Sequence, residues 1–538
     1  MNTKPITSMN VCIAANPTKR FQLNTIVIAL LCAMSWTAPI LANQPQVLWT
    51  QYCVANGTLK LAAHTDADPE SPVEATARLM RRTGTDWETI LTVDIDPITA
   101  MAKFRIDNWD ASTKHAYRVT CGESTIEGVI RAEPDPDSGT LKMMAIACVK
   151  DEFYPQSNAV AQTISQDPDL VFFAGDQIYE SNAGGEIVEA ESEDDLVPAM
   201  ANYLAKWRRF GLMFRDLLKD RPSILITDDH DVYADDLWGR GGRRMRGNRT
   251  TGGYRMHPSW VNAVEETQTW HLPDAANPGP WGDGIRAYFT SLDYGGVSFA
   301  ILEDRKFKSA PSEVLDEPIS APGAARKNDT MEVIEDPSFD ETKLDRESLQ
   351  LLGETQEKFV TEWSAKVQEQ SRLAAVLSQS PYVNVGNYNR DFGDMDSNGW
   401  PQSGRNRALR AIKPSQAVMI SGDIHYGTLV QHGIDQWGDG PWSFSVPAFT
   451  SNQNRTWNPR QSASGGEVPG VEGSGNHRDR FGNLMTLVGK ADGLQGYGMV
   501  LFDKNLHQIT LEIYTFDSNR EPKQVPVAGW PKVIQVTK

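Results

Sequence analysis

Between about Gln44 and Ile130 the apolar positions fall in short alternating runs, TLKLA, AKFRID and HAYRVTC, with Gly, Pro, Asp and Asn between them. Successive side chains of a strand point to opposite faces, so this pattern predicts half-buried strands joined by turns. The expectation is a small all-β domain of the immunoglobulin or fibronectin kind over residues 43–132, with Tyr117, Val119 and Cys121 on one face. Residues 133–141 include the proline-stiffened run Glu133-Pro-Asp-Pro-Asp-Ser-Gly139 and lack periodicity, which marks a linker.

From residue 142 the pattern changes to continuous apolar runs alternating with helical periodicity. MMAIAC precedes NAVAQTISQ, DLVFFAGD, the long amphipathic MANYLAKWRRFGLMFRDLLKD, and SILITDDHD. This βαβαβ order predicts a mainly parallel sheet covered by helices. IRAYFTSLDYG and VSFAILED read as a hairpin, and Phe359, Trp363 and Val367 recur every four residues on one helical face. LAAVLSQS and AVMISGD add buried strands, and GYGMVLFD with QITLEIYTF ends the chain in β structure. Two sheets between helices fit this count, in an α/β domain spanning 142–538. Three long polar stretches, 181–193, 309–347 and 452–476, suit rims or lids of a site.

At 538 residues the chain exceeds one simple core, in keeping with two domains. A net charge of -18 and a pI near 5.0 argue against a nucleic-acid or anionic-membrane binder, which needs a positive field. Lys19-Arg20 precede an apolar run from Ile26 to Trp36, and Pro39-Ile40-Leu41-Ala42 offers a small residue at the cut. Residues 1–42 therefore read as a signal peptide, and the mature protein as exported, periplasmic or extracellular, with the general secretory route favoured and the twin-arginine route left open. No other segment nears the roughly 20 apolar residues of a membrane span, and a monomer is expected. Cys12 and Cys32 leave with the signal, Cys53 and Cys121 are expected to form a disulfide, and Cys148 remains.

The chemistry gathers where apolar runs stop. MMAIAC closes on Cys148, VFFAGDQIYE on Asp176 and Tyr179, SILIT on Asp228-Asp229-His230-Asp231, and AVMISG on Asp423-Ile424-His425. Parallel strands deliver such residues to one sheet edge. Thiolate, phenolate and imidazole suit a ferric ion, whereas clustered aspartates suit calcium, so a mixed site is indicated. Adjacent acids at one strand end repel one another unless a cation relieves them.

AIAC, DPDLVFFAGDQIYE, TDDHDV, LGETQEKF and SGDIHYG occur in the order seen in PhoD-like alkaline phosphatases, and the chain resembles that family from about Lys142 onward. The resemblance implies a metallophosphoesterase-like four-layer αββα sandwich with Fe3+ and Ca2+ at the strand ends. It implies Cys148, Asp176, Tyr179 and His425 as iron ligands, and Asp176, Asp229 and Asp423 on the calcium side, with Asp176 bridging. His230 stands where the wider superfamily places a histidine acting on the leaving group, with Asp228 or Asp231 to orient it. The usual Asp-x-His opening is absent, and Cys148 stands in its region. Asp235 and Asp236 replace a frequent asparagine, making Asp236 a candidate calcium ligand.

The implied activity is hydrolysis of a small phosphate ester by a metal-bound hydroxide, with no covalent enzyme intermediate. A phosphodiesterase of phospholipase D type on the same centre is the enzymatic alternative. The other is an extracellular calcium-binding module without catalysis, against which stand Cys148, Tyr179 and His425. No GxSxG, HExxH or Walker loop is present. The basic run from Trp238 to Arg249 either attracts an anionic substrate or pairs with acidic neighbours, and Trp400 either lines the pocket or packs.

Overall fold

A computed structural model of the chain describes residues 44–151, 157–320, 331–386, 393–451, 455–457, 459, 461–516 and 523–537. The signal-peptide segment lies outside the described residues. Strands Val47–Ala55, Thr58–Thr65 and Met101–Ile106 form a three-stranded antiparallel sheet. Asn56 and Gly57, at φ 50° and 72°, make its first turn in the left-handed conformation that two-residue hairpins favour. A four-stranded antiparallel sheet runs in the order Asp86–Asp94, Thr76–Thr83, His115–Cys121, Ser124–Ile130. Tyr52, Leu61 and Phe104 of the first sheet share a core with Leu79, Tyr117, Val119 and Cys121 of the second.

The expected disulfide is absent: Cys53 and Cys121 are both free, buried thiols. Period-two alternation is the reason. Tyr52 and Val54 enter the core that contains Cys121, whereas Cys53 faces the opposite way, among Leu141, Tyr294 and Phe299.

Residues 133–139 are packed rather than free. Gly295 donates its backbone N–H to Glu133 Oε1 at 2.9 Å, and a Cβ at Gly296 would lie 1.9 Å from the Pro136 carbonyl oxygen. The strand Val47–Ala55 also leans on the long helix Leu196–Leu218. A Cβ at Gly211 would come within 2.2 Å of the Trp49 ring, which stacks on His64 at 4.3 Å. Asn43–Lys538 accordingly forms one compact unit.

Two large sheets follow. One runs in the order Ser223–Leu225, Leu170–Phe173, Thr140–Ile146, Gly496–Asp503, Gln508–Thr515, Lys532–Gln535, its first three strands parallel. The other has eight strands, and its centre, Val297–Ile301, Ala374–Leu377, Val418–Ser421 and Trp442–Ser445, is parallel. Met143, Ala145, Phe172 and Ile224 of the first sheet meet Phe299, Ala375, Val418 and Ile420 of the second. Met144, Val171 and Phe173 turn instead to Trp207, Phe210 and Phe214 of the long helix. Ala300, Val376 and Met419 turn to helices Gly353–Gln370 and Gln402–Ile412, meeting Val360, Trp363 and Leu409. Each central strand is thus buried on both faces, which is why its sequence reads as a continuous apolar run. The two sheets share one core and each also packs against helices, and the parallel strands bring their carboxyl ends to one edge.

Candidate metal centre

Two glycines permit the strand ends to converge. A Cβ at Gly175 would lie 2.4 Å from Asp228 Cβ, and one at Gly422 would lie 2.2 Å from Ala147 Cβ. Just beyond these contacts the backbone turns sharply. Cys148, Asp176, Asp236, Asp423 and His425 have φ of 58°, 56°, 69°, 64° and 50°. The left-handed region costs an L-residue about 1–2 kcal/mol. Five such residues at one edge are strain of the kind that concentrates where function over-determines the backbone.

The side chains form three overlapping groups. Donor atoms of Cys148, Asp176 and His425 lie within 4.8 Å of one another, as do those of Asp176, Asp229 and His230, and those of Asp229, Asp236 and Asp396. Asp176 belongs to two groups and Asp229 to two, so the three groups form one continuous line of donors. The Tyr179 hydroxyl donates to Asp176 Oδ2 at 2.9 Å and stands 3.3 Å from His425 Nε2. Asp176 Oδ1 is buried without any hydrogen-bond partner. Burial raises the Asp176 carboxyl well above the usual carboxylate range; His230 opposes that, and Asp229, Asp231 and Asp423 add to it. Burial likewise pushes the Cys148 thiol up, with Asp176 and Asp423 adding to the effect. Charged forms of this donor set are therefore stable only with compensating positive charge.

Arg305 supplies part of that charge. It is 1% exposed, donates from Nε to Asp228 Oδ1 at 2.6 Å and from Nη1 to Asp396 Oδ1 at 2.6 Å, and its Nη2 lies 3.2 Å from Asp423 Oδ2. Asp423 thus stands beside the centre, outside the three donor groups, with its side chain on Arg305.

The expected orientation of His230 is corrected. Its Nδ1 lies 2.7 Å from Glu180 Oε2, and neither Asp228 nor Asp231 meets the ring. Asp228 is taken by Arg305. Asp231 accepts the backbone N–H groups of Asp176 and Asp228 at 2.8 and 2.9 Å on Oδ2, and that of Ile178 at 3.2 Å on Oδ1. It ties the turn after Leu170–Phe173 to the turn after Ser223–Leu225. Burial disfavours charge on the His230 imidazole, yet Asp176, Asp229 and Glu180 together hold its pKa well above the ordinary value.

The basic run pairs largely with acids and carbonyls. Arg249 meets Asp235 Oδ2 at 2.8 Å, Asp236 Oδ2 at 3.4 Å and also Glu332; Arg240 meets Glu313 at 3.4 Å; Arg244 donates to the Glu191 carbonyl at 2.7 Å. Trp400 is buried, and its indole N–H donates to the Leu344 carbonyl at 3.2 Å, so it packs rather than lines the site. Arg305, Asp396 and Glu180 were not assigned from sequence. Arg305 had a signal, since VSFAIL also ends in charge, Glu303-Asp304-Arg305.

A family model described as PhoD-like phosphatase matches residues 143–474. A solved structure of PhoD superposes with a TM-score of 0.61 at 14% identity, covering 93% of this chain and 90% of that one, which shows a shared fold. GAP50, the anchor in the inner membrane complex of Plasmodium, gives 9% identity over 74% of this chain and 90% of that one, with a TM-score of 0.32, too low to support an inference. No curated protein matches the sequence.

Replacing Arg305 by methionine leaves Asp228, Asp396 and Asp423 facing one another without their guanidinium. In chelator-treated protein, Arg305→Met is expected to cost about 3–5 kcal/mol in denaturant unfolding, with part of the loss recovered on adding calcium. A loss below about 1 kcal/mol would show that these carboxylates do not depend on Arg305.

Proposed function

The chain belongs to the PhoD-like phosphatase family, and on that premise we propose that it is an exported, metal-dependent phosphoesterase of the alkaline phosphatase D kind. The observation that carries the reading is Asp176: a fully buried carboxylate shared by two donor groups, with one oxygen left without a partner. An orphaned buried oxygen amid a thiol, a phenol, an imidazole and further carboxylates fits a cation cluster. Cys148, Asp176, Tyr179 and His425 would hold Fe3+, and Asp176, Asp229, Asp236 and Asp396 would hold Ca2+, with Asp423 close by. When bound, the cations supply Lewis acidity toward phosphoryl oxygens and an acidified water, shifted from a pKa of about 15.7 toward roughly 7.

The remaining chemistry falls to the chain. Glu180 fixes the His230 ring through Nδ1, which leaves Nε2 to face the ester. With a proton on Nε2 the ring would donate it to the departing oxygen. Asp231 keeps the two ligand-bearing turns in register and touches no reacting atom. Calcium alone would not select Cys148, Tyr179 and His425, which disfavours a purely structural module.

His230→Ala is expected to lower phosphoester turnover about 10²–10⁴-fold while bound metal, by elemental analysis, stays the same. Turnover at the wild-type level would remove His230 from the reaction. Export is proposed from Lys19-Arg20 and the apolar run behind them. Intact-mass analysis of the periplasmic or secreted protein should place its first residue near Asn43, and a full-length cytoplasmic product would contradict this.

A further inference from the structure

Beside His230 lies a cavity of about 280 Å³, and two of its lining residues are the two acids that flank the imidazole. Glu180 is on the Nδ1 side at 2.7 Å, and Asp235 Oδ1 is 3.9 Å from Nε2. The cavity thus shares Asp235 with the Nε2 side of the ring and Glu180 with the Nδ1 side.

Its charged lining residues are engaged with other protein groups. Glu180 holds His230, Asp235 and Asp236 pair with Arg249, and Arg255 pairs with Glu189. What remains is Tyr233, Ala234, Trp238, Met245 and Gly253. The polar ends of the two aromatic residues are also spent inward. The Tyr233 hydroxyl donates to Asn202 Oδ1 at 2.8 Å and accepts from Lys206 Nζ at 3.0 Å, and Trp238 Nε1 donates to the Met395 carbonyl at 3.2 Å. Neither aromatic residue therefore offers a free polar atom to the cavity, and both are almost wholly buried, so Ala234 and Met245 supply most of its open carbon surface. Gly253, at φ 97°, is fixed by its surroundings, since a Cβ there would lie 2.7 Å from the Arg244 carbonyl carbon and Met245 nitrogen. Met245, half-buried and with an unbranched, adaptable side chain, forms another wall.

We propose that this cavity is the leaving-group subsite, and that it selects phosphate esters of small, uncharged, apolar alcohols, aryl or short alkyl. The assignment rests on the phosphoesterase reading above. The volume is near the lower limit of ligand pockets and suits one ring rather than a nucleoside or glycan. A charged or polyhydroxylated alcohol would meet carbon walls and already-paired ions, and would lose its hydration without replacement.

The test compares benzyl and glyceryl phosphate, each supplied as monoester and as symmetric diester, in wild type, Met245→Trp and Met245→Asp, with metal content and thermal melting recorded for every protein. Wild type is expected to favour benzyl over glyceryl in kcat/KM by about tenfold or more. Met245→Trp, which fills the cavity, and Met245→Asp, which makes it polar, should each lower that ratio at least about fivefold with melting and metals preserved. Wild type hydrolysing both alcohols equally, or a preference unchanged in both variants, would overturn the subsite and leave the phosphoesterase reading intact. Absence of hydrolysis of every ester by metal-loaded wild type would overturn both together.

Discussion

Negative charge withheld from water is the constraint on which the architecture depends. Asp176, Asp228, Asp229, Asp396 and Asp423 are each under a tenth exposed, and all but Asp396, which comes in from a loop, sit at the carboxyl ends of parallel strands. Desolvation alone would neutralise or scatter them. Arg305 fixes three of the five in place, and the remaining demand for positive charge falls where Cys148, Tyr179, His425 and His230 add softer donors. Stability and the proposed function thus meet in one place: the positive charge that would keep these groups together is what a bound cation would supply.

The same edge bears backbone strain. Five residues at the centre adopt left-handed backbone conformations, and Gly175 and Gly422 let the strand ends approach within reach of one another. Asp231 shows how the arrangement is maintained, because one buried carboxylate accepts backbone N–H groups from the turns after two neighbouring strands. Rigid sheets position the turns, the turns position the donors, and Glu180 holds the His230 imidazole.

Much of this was legible in the sequence because parallel strands buried on both faces appear as unbroken apolar runs, and their ends announce the chemistry. Cys148, Asp176, Asp229 and His425 were found that way. Arg305 was passed over since VSFAILED reads as half of a hairpin, which it also is, pairing antiparallel with Thr290–Tyr294 while lying parallel to Ala374–Leu377. Asp396 lies in a loop segment with no strand pattern to mark it. The expected Cys53–Cys121 disulfide failed on strand parity. Val47–Ala55 is buried on both faces, so its apolar pattern does not reveal which face Cys53 takes. Side-chain partnerships across the chain, such as Glu180 with His230 fifty residues on, leave no local trace in the sequence.

The central claim is that the buried donor set is a catalytic cation cluster. It is tested most directly by measuring metal content and phosphoester turnover on one purified preparation, with and without calcium. The account predicts bound iron and calcium, with hydrolysis lost on calcium removal and restored by its return. Calcium alone, with no hydrolysis of either a monoester or a diester, would contradict it and would leave Cys148 without its assigned role.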